Sequence, residues 1–435
     1  MIYQVSKKDR TLKGTVKLTP SKSISNRVLI INGLCAAPIP ISNLATAHDT
    51  MLLQKLLRAS EKILHAEDAG TAFRFLTAYL AQKPGEWLLT GTDRMKQRPV
   101  GPLVVALRKL GAEIIFTEKE NFPPLKITGT KLKGGTVEID GDISSQFISA
   151  LLMLAPTLEK GLKIILLGEV FSRPYIEMTL KLMNQFGIQH EWKEHVISIP
   201  QQIYKAATMS IENDWSAASY WYEMAVLADE VDLTIEGLKP NSIQGDSTIA
   251  EIMQQFGVET EFIQEGIRLT KKTLSSPIHP SPFTLQLSKK FSHNFQSHPD
   301  LVQTMAVTCV ELGMEAEFTG VQNLRIKETD RLLALQNELR KIGVQMEISN
   351  FQTSSGQVEF RISRLSQDKS DFKNPHPSPF TFHTYDDHRM AMSFVPLALK
   401  FGTIEIENPD VVKKSYPEFW DDMRSVGFEI NVKKP

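Results

Sequence analysis

The sequence is poor in cysteine and carries no excess of charge of either sign. Its 435 residues include only two cysteines, Cys35 and Cys309, each in an apolar stretch. No disulfide framework is therefore predicted, and a reducing compartment fits this usage. Lys plus Arg number 49 and Asp plus Glu number 50. This balance argues against a protein that binds nucleic acid or a membrane surface, because such proteins carry a basic excess or a basic patch.

Long apolar runs and several familiar motifs are also missing. No apolar run approaches the roughly 20 residues of a membrane-spanning helix, and the first residues lack the pattern of a signal peptide. Neither a P-loop nor a GxGxxG fingerprint occurs. Residues 190–195 resemble HExxH with one residue too many, so we reject a zinc site. We expect a cytoplasmic monomer without metal or cofactor.

One sequence pattern recurs along the chain: the end of a helix, then glycine, then a short strand with alternating polar and apolar residues. Glycine is typical of the left-handed residue that follows a helix. A degenerate copy near residues 56–60 would make six copies. The glycines of the clear copies are Gly111, Gly187, Gly257, Gly343 and Gly427.

A second sequence pattern alternates with the first and consists of a polar start, an apolar helix, a turn and a strand. Alternating helices and strands predict an α/β architecture, and the length predicts two domains, with three repeated units in each. Helices as apolar as residues 147–155 are predicted to be buried. Residues 241–246 are predicted to form a hinge, and residues 275–299 and 366–383 long loops or insertions. Copies of this second pattern begin near Ser23, Gly70, Ser144, Ser216, Asp300 and Asp387.

The polar helix starts are candidate anion sites, because the first turn of a helix has unpaired N–H groups and a positive dipole end. The first start, residues 21–27, contains Lys22 and Arg27, and these favour anion binding. For the starts at residues 68–74 and 144–146, simple N-capping remains the alternative.

Three further clusters combine charges near helix starts. Residues 94–99 place three basic residues before a predicted helix, where a solvated charge run is an equal alternative. Residues 325–331 place Glu328 among cations, which favours a site over surface ion pairs. In residues 385–392, His388 lies between a carboxylate and Arg389, a residue suited to binding a carboxylate in two-pronged fashion.

Together these motifs resemble the EPSP synthase family of enolpyruvyl transferases. The strongest are residues 21–27, 69–71, 144–147, 325–331 and 387–392, and the resemblance spans residues 14–428. It implies an inside-out α/β barrel of three helix–strand units in each domain. It also implies that the chain crosses between the domains twice, so that one comprises residues 1–20 plus 244–435 and the other residues 21–243. The active site would lie in the cleft between them.

The resemblance also implies roles for individual residues. Asp300 would accept the proton of the 5-hydroxyl, and Glu328 would transfer protons at the methylene carbon of phosphoenolpyruvate, with Lys22 and His388 assisting. The residues implied for binding shikimate 3-phosphate are Lys22, Ser23, Arg27, Ser144, Ser145, Gln146, Ser172, Tyr175, Asp300, Asn323 and Lys327. Those implied for phosphoenolpyruvate are Lys22, Gly70, Arg98, Gln146, Arg331, Arg389 and Lys414.

Two alternative functions agree less well with the sequence. A sister enzyme transfers the same group to UDP-N-acetylglucosamine, but it uses a loop cysteine, and Cys35 and Cys309 both lie in apolar, helix-like runs. A catalytically silent binding protein on the same scaffold would have lost Asp300, Glu328 or Lys22, and none is lost.

The chain departs from the family pattern at residues 19–20, 68 and 75, which flank the expected phosphoenolpyruvate site.

Overall fold

The computed structural model describes residues 1–271, 290–349, 359–364 and 379–433. The helices of these residues are α1 (Lys22–Leu34), α2 (His48–Arg58), α3 (Gly70–Gln82), α4 (Asp93–Lys96), α5 (Gly101–Lys109), α6 (Ser145–Leu154), α7 (Arg173–Gln185), α8 (Trp215–Leu227), α9 (Ile249–Gln254), α10 (Val302–Glu311), α11 (Arg331–Lys341), α12 (His388–Phe394), α13 (Ala398–Phe401) and α14 (Phe419–Ser425).

The strands alternate with these helices along the chain. They are β1 (Ile2–Ser6), β2 (Thr11–Lys17), β3 (Ile63–His65), β4 (Gly85–Thr90), β5 (Glu113–Phe116), β6 (Leu125–Gly129), β7 (Gly135–Asp140), β8 (Leu162–Leu167), β9 (Glu191–Lys193), β10 (Val196–Ile199), β11 (Glu230–Glu236), β12 (Val258–Ile263), β13 (Gly266–Lys271), β14 (Lys290–Asn294), β15 (Glu315–Thr319), β16 (Val344–Ser349), β17 (Glu359–Arg364), β18 (Phe380–Phe382), β19 (Thr403–Glu407) and β20 (Glu429–Lys433).

The chain forms two compact units. The N-terminal unit is Pro20–Glu212, and the C-terminal unit combines Met1–Thr19 with Asn213–Pro435. Residues 213–243 thus belong to the C-terminal unit, whereas the sequence predicted them in the other domain. The reason is strand pairing: β11 runs parallel to β2 from Glu230↔Thr11 to Glu236↔Lys17. In addition, α8 is buried in the same core as these strands.

Five four-stranded sheets share one pairing scheme, in which a parallel pair is extended by two antiparallel strands. The N-terminal unit contains the sheets β3-β4-β6-β5 and β7-β8-β10-β9. The C-terminal unit contains β2-β11-β13-β12, β14-β15-β17-β16 and β18-β19-β1-β20. The predicted mixed α/β class is confirmed. In the segment between α1 and α2, the described residues form only an isolated β-bridge, in which Ser42 pairs with Ser210.

The local features that the repeat predicted are present. All five repeat glycines have positive φ, from 72° at Gly343 to 101° at Gly111, as the left-handed residue after a helix requires. Nine of the ten residues of α6 are buried, which confirms the burial predicted for such apolar helices.

The predicted loops lie partly outside the described residues. Of residues 275–299, the part before residue 290 is outside, and residues 290–294 form strand β14, which pairs in parallel with β15. Of residues 366–383, the part before residue 379 is outside, and residues 380–382 form β18. Among the described residues, no helix is long and apolar enough to cross a membrane.

Candidate active site

The predicted site residues fall into two groups, one within each unit. In the N-terminal unit the residues come from the starts of α1, α3, α6 and α7, together with the segment before α5. In the C-terminal unit they come from the starts of α11 and α12 and from three 3-10 turns. These turns are Pro299–Leu301, Gln322–Ile326 and Pro409–Lys414.

Lys22 is the first residue of α1, directly after the capping residue Ser21, whose hydroxyl accepts from the backbone N–H of Ile24. Its ammonium lies 3.2 Å from the Oδ2 atom of Asp49 in α2, and both side chains are largely buried. Asp49 was not predicted from the sequence, because an acidic residue in the first turn of a helix is also an ordinary dipole partner. Asp49 thus holds the Lys22 ammonium at the start of α1. The ammonium and the unpaired backbone N–H groups there would both attract an anion.

Arg27, also in α1, is buried against neighbouring helices. Its Nε donates to the hydroxyl of Thr179 in α7 at 2.7 Å, and its Nη2 donates to Ser149 in α6 at 3.2 Å. Burial lowers the pKa of Arg27 to about 10, so the side chain remains a cation at neutral pH. These contacts give Arg27 a structural role that joins three helices, and its contact with shikimate 3-phosphate stays a prediction.

Gly70 and Arg98, both predicted for phosphoenolpyruvate, lie in direct contact. The Nη1 of Arg98 donates to the backbone oxygen of Asp68 at 3.2 Å, at the entry to α3. A Cβ atom on Gly70 would stand 2.7 Å from the Cζ and Nη1 atoms of Arg98. Only glycine therefore lets this guanidinium approach the first turn of α3, where the helix dipole and the cation both favour an anion.

Gln146 is held by a second arginine. Its Oε1 accepts from Nη1 of Arg74 at 2.5 Å, and its Nε2 donates to the hydroxyl of Thr71 at 2.9 Å. Ser144 is the N-cap of α6, and its hydroxyl accepts from the backbone N–H of Gln146. The contact of Ser144 with shikimate 3-phosphate stays a prediction. The next residue, Ser145, is the first of α6 and is buried. The interaction of Arg74 with Gln146 joins α3 to α6 and was not predicted.

Ser172 precedes α7 in a left-handed conformation, with φ 53° and ψ 35°. For a residue other than glycine, this conformation costs on the order of 1–3 kcal/mol and is enriched at functional sites. Its backbone oxygen accepts from the N–H of Tyr175 at 3.0 Å. The strained backbone places the buried Ser172 at the helix start, and its contact with shikimate 3-phosphate stays a prediction.

Asp300 is the centre of the group in the C-terminal unit. Its Oδ2 lies 2.8 Å from Nη2 of Arg389, and its Oδ1 lies 3.1 Å from Nη1 of Arg331 and 3.9 Å from Nζ of Lys327. Burial alone raises the pKa of this carboxyl, but Arg389, Lys327 and Arg331 together hold the pKa well below its ordinary value. Asp300 is therefore a carboxylate in a strongly positive environment.

Arg331 connects this centre to two more acidic residues. Its guanidinium contacts both carboxylate oxygens of Asp387, and its Nη2 donates to Oε2 of Glu328 at 3.0 Å. Burial disfavours the charged form, but Asp387, Glu328 and Asp300 raise the pKa of Arg331 above its usual value. Glu328 thus lies within the charged cluster, as the sequence predicted.

Helix α12 contributes His388 and Arg389. Asp387 caps this helix by accepting from the backbone N–H of Arg389 at 2.9 Å. His388 is almost fully buried, with Nδ1 3.9 Å from Oδ1 of Asp387. The phenol of Tyr220 in α8, which the sequence argument missed, lies 3.4 Å from Nη1 of Arg389.

The remaining two predicted residues lie in turns packed against these helices. The half-buried Asn323 is in the turn Gln322–Ile326, which packs against α11. Lys414, also half-buried, ends the turn Pro409–Lys414, which packs against α12.

Residues 241–246 do not form the predicted hinge but are part of the packed C-terminal unit. Gln244 is buried and donates to the backbone oxygen of Asn213 at 2.8 Å. Asp246 is buried and accepts from the hydroxyl of Ser216. Burial, and then the charge of Asp300, raise the pKa of Asp246 to about 7, against the lowering effect of Arg389. Asp246 therefore belongs to the electrostatic surroundings of Asp300.

Among the residues that the structure describes, no three His, Cys, Asp or Glu side chains are placed to hold a metal ion. Buried cations and helix starts suit the two groups to anion binding, and their carboxylates and His388 are suited to proton transfer.

Comparison with known proteins identifies the family. The family model for EPSP synthase (3-phosphoshikimate 1-carboxyvinyltransferase) matches residues 52–423. Proteins named 3-phosphoshikimate 1-carboxyvinyltransferase are similar over nearly their whole length. One from Bacteroides fragilis is 43% identical over 97% of this chain and 97% of the relative, and one from Vibrio campbellii is 34% identical over 95% and 97%.

Solved structures show the same fold. An EPSP synthase from Acinetobacter baumannii superposes with a TM-score of 0.73 at 19% identity, over 99% of this chain and 100% of that one. The enolpyruvyl transferase NikO from Streptomyces tendae gives a TM-score of 0.68 at 14% identity, over 100% and 99%. The sequence matches confirm the predicted family, and the chain belongs to the EPSP synthase family.

Proposed function

We propose that this chain transfers the carboxyvinyl group of phosphoenolpyruvate to the 5-hydroxyl of shikimate 3-phosphate and releases phosphate. The observation that carries the proposal is Asp300, a largely buried carboxylate in contact with the side chains of Arg331, Arg389 and Lys327. Family membership and the shared name of the relatives support this reaction. It belongs to the shikimate pathway, which leads to chorismate and the aromatic amino acids. No cofactor is required, because both substrates already carry the reacting groups.

The cations of both units suit two substrates that bear phosphate and carboxylate groups. Phosphoenolpyruvate is assigned to Arg98 beside Gly70 and to Arg331 and Arg389. Arginine binds planar carboxylates and phosphates with two parallel hydrogen bonds, and a helix start adds backbone donors. The remaining ligands of phosphoenolpyruvate are Lys22, Gln146 and Lys414. Shikimate 3-phosphate is assigned to Lys22, Ser23, Arg27, Ser144, Ser145, Gln146, Ser172, Tyr175, Asp300, Asn323 and Lys327.

The reaction requires protons to move at two atoms. Glu328 adds a proton to C3 of phosphoenolpyruvate, which leaves C2 electron-poor. The 5-oxygen attacks C2 while its proton passes to Asp300, and a tetrahedral adduct forms. Glu328, now a carboxylate, takes a proton back from C3, the C2–C3 double bond re-forms, and the bond between C2 and the phosphate oxygen breaks so that phosphate leaves with its electron pair. Lys22 and His388 assist by stabilising charge, and positioned groups of this kind typically contribute factors of about 10²–10⁴ each.

Substrate binding converts Asp300 into a better base. In the free protein its pKa is held well below the ordinary value by three cations, so it is a weak proton acceptor. When the anionic groups of phosphoenolpyruvate engage Arg331 and Arg389, part of that positive field is neutralised. The pKa of Asp300 then rises toward its usual range, and the base becomes effective only once its substrate is bound.

The proposed fold is more specific than the α/β class. Each unit forms an inside-out barrel of three helix–strand units, with helices inside and sheets outside. Support comes from the pairing scheme shared by all five described sheets and from the buried helices α6, α8 and α12. In this scheme α1 and α2 belong to a sixth unit whose strands are reduced to the bridge Ser42↔Ser210.

The two alternatives have less support. The sister reaction on UDP-N-acetylglucosamine uses a loop cysteine, whereas Cys35 and Cys309 are both buried. Burial raises the pKa of both thiols, which makes them poor nucleophiles. A silent binding protein would not need the acidic residues, and both Asp300 and Glu328 are present.

Phosphate release tests the proposal directly. Purified protein is given shikimate 3-phosphate and phosphoenolpyruvate without added metal, and each substrate is omitted in turn. We expect release only when both are present, in a one-to-one ratio with the enol ether product. UDP-N-acetylglucosamine in place of shikimate 3-phosphate is the acceptor control. Release with that acceptor alone, or none with either from a folded protein, would reject the proposed function.

A further inference from the structure

Two histidines bracket the turn that leads to Asp300. His293 is in β14, and His298 directly precedes the 3-10 turn Pro299–Leu301. Their Nε2 atoms lie 2.7 Å apart, and the ring centroids are 5.0 Å apart. This is a hydrogen-bond distance between two nitrogens, so one ring donates and the other accepts. The contact closes the turn formed by residues 293–298.

The protonation states fit such a bond. Burial lowers the pKa of His293, and burial together with the charge of His293 lowers the pKa of His298 to about 4. Both rings are therefore neutral at pH 7. A neutral imidazole has one N–H donor and one acceptor nitrogen, and two of them can share a single hydrogen bond.

The orientation of the rings is fixed by aromatic neighbours. His293 is stacked on Phe291, with centroids 5.9 Å apart and ring planes inclined by 6°. Phe295 contacts both histidines edge-on, at 4.6 and 5.7 Å between centroids. Phe295 is fully buried and packs against Phe318 of β15 at 4.7 Å. The histidine pair thus packs against buried aromatic residues of the core.

A series of backbone bonds extends from this core to Asp300. The N–H of Phe295 donates to Thr319 of β15 at 2.9 Å, and the N–H of His298 donates to the oxygen of Phe295 at 3.1 Å. The N–H of Leu301, the residue after Asp300, donates to the oxygen of His298 at 3.1 Å. His298 therefore joins the sheet to the turn that carries the carboxylate.

We propose that the hydrogen bond between His293 and His298 positions Asp300 for proton transfer, so that both histidines are positioning residues of the reaction. This inference rests on the proposed function of Asp300. The bond is needed during turnover in particular. In the free protein Arg331 and Arg389 hold the carboxylate, but these two residues are the ones assigned to phosphoenolpyruvate. Once substrate competes for them, the turn itself must keep Asp300 in place.

The first test compares two substitutions of one residue. His298→Leu removes the hydrogen bond and replaces the imidazole with an apolar side chain. We expect kcat to fall at least tenfold, because displacements of about 1 Å can cost as much as 10²-fold in rate. The KM values of both substrates should change less than twofold. His298→Gln retains an amide N–H near the position of Nε2, and we expect it to recover most of kcat.

A second variant and a control keep the test decisive. His293→Phe fits the stack on Phe291, and we expect the double variant His293→Phe/His298→Leu to lose no more kcat than either single variant. His190→Leu removes a half-buried histidine whose side-chain bond to Asn184 (3.1 Å) lies in the other unit, and its kcat should be unchanged. Wild-type kcat in His298→Leu, failure of His298→Gln to recover it, or additive losses would each overturn the proposal.

Amide hydrogen exchange tests the same bond without using activity. We expect exchange of the Leu301 N–H to accelerate at least tenfold in His298→Leu and to stay within threefold of wild type in His298→Gln. If the wild type released no phosphate from the named substrates, the proposed function would fail, and this exchange pattern would still support the positioning bond. Equal exchange in all three proteins would reject the bond whatever the activity.

Discussion

Arg331 and Asp387 form a two-pronged ion pair inside the C-terminal unit. Nε of Arg331 donates to Oδ2 of Asp387 at 2.7 Å, and Nη2 donates to Oδ1 at 3.3 Å. Both side chains are almost fully buried. The same carboxylate caps α12 by accepting from the N–H of Arg389. One aspartate thus links the start of α11 to the start of α12 and fixes the two helices that carry Arg331 and Arg389.

Arg331→Lys is expected to lower the stability of the C-terminal unit. Lysine cannot make the two-pronged contact, so Asp387 is left buried with a poorer partner. Breaking a buried ion pair typically costs about 3–5 kcal/mol, and since lysine keeps the charge we expect the lower end, about 3 kcal/mol. Urea titration of both proteins measures the difference.

The matched control is Arg268→Lys in the same unit. Arg268 makes an equivalent two-pronged contact with Asp232, at 2.7 and 3.1 Å, but both side chains are about half exposed. Exposed pairs contribute about 0–1 kcal/mol. Equal losses in the two variants would show that burial does not determine the strength of the Arg331–Asp387 pair.

Asp300→Asn is expected to stop turnover without weakening substrate binding. The amide has nearly the same shape but cannot accept the 5-hydroxyl proton, so kcat should fall by about 10²–10⁴. Removing the negative charge leaves Arg331, Arg389 and Lys327 less neutralised, so phosphoenolpyruvate should bind equally well or more tightly. Phosphate release gives kcat, and equilibrium binding gives the dissociation constants.

The control for this substitution is Asp232→Asn, which removes an exposed, ion-paired aspartate of the same unit. Its kcat should equal that of wild type. A normal kcat in Asp300→Asn would remove Asp300 from the mechanism, and a loss confined to KM would make it a binding residue only.

Local signals in the sequence predicted local structure well. The glycines that end the repeated helices occupy left-handed positions, and the polar residues Ser144 and Asp387 cap their helices. These features depend on a few adjacent residues, since φ and N-terminal hydrogen bonds are set within one turn. They could therefore be inferred without knowledge of the fold.

Contacts between distant residues could not be inferred in this way. Asp49 beside Lys22, Asp246 near Asp300 and Tyr220 beside Arg389 come from segments that carry no distinguishing motif. The misplaced boundary at residue 243 has the same origin, because it depends on pairing of β11 with β2 from the far end of the chain. A single buried aspartate in a sequence is indistinguishable from an N-cap until the tertiary packing is known.

Gly70→Ala is expected to weaken phosphoenolpyruvate binding selectively. The new Cβ would stand 2.7–2.8 Å from three atoms of the Arg98 guanidinium, so that guanidinium must move. We expect the KM for phosphoenolpyruvate to rise about tenfold, equivalent to about 1.4 kcal/mol. The KM for shikimate 3-phosphate should change less than twofold. Initial rates with each substrate varied in turn provide the measurement.

Gly33→Ala is the comparison for this substitution. Gly33 lies in α1 of the same unit, and its Cβ would meet the ring of Tyr79 at an ordinary contact distance of 3.5 Å. Its kinetic constants should match those of wild type, with stability equal or slightly higher, because alanine favours a helix interior over glycine by about 1 kcal/mol. Similar rises in KM in both variants would contradict the steric argument at Arg98.

Glu223→Gln is expected to stabilise the C-terminal unit at alkaline pH. Glu223 in α8 is fully buried, and neither of its carboxyl oxygens has a hydrogen-bond partner among the described residues. Burial, and then the charge of Glu311, raise the pKa of Glu223 well above its ordinary value. Burial also raises the pKa of Glu311 to about 7. Both groups therefore retain a proton in the folded protein at pH values where they ionise in the unfolded chain.

The sign of the effect follows from proton uptake. Below about pH 4.5, Glu223 is protonated in both states and costs no pH-dependent stability. As the pH rises, the unfolded chain loses this proton while the folded protein keeps it, so the free energy of unfolding falls by about 1.4 kcal/mol for each unit of pKa difference. Glu223→Gln removes this penalty, and urea titrations should show a gain in the free energy of unfolding at pH 8 that disappears near pH 4.5. Glu338→Gln provides the contrast, since the buried Glu338 accepts hydrogen bonds from Tyr385, Lys341 and the N–H of His383. That variant should lose stability at pH 8, and a loss in both variants would show that the Glu223 site tolerates an amide no better than a carboxyl group.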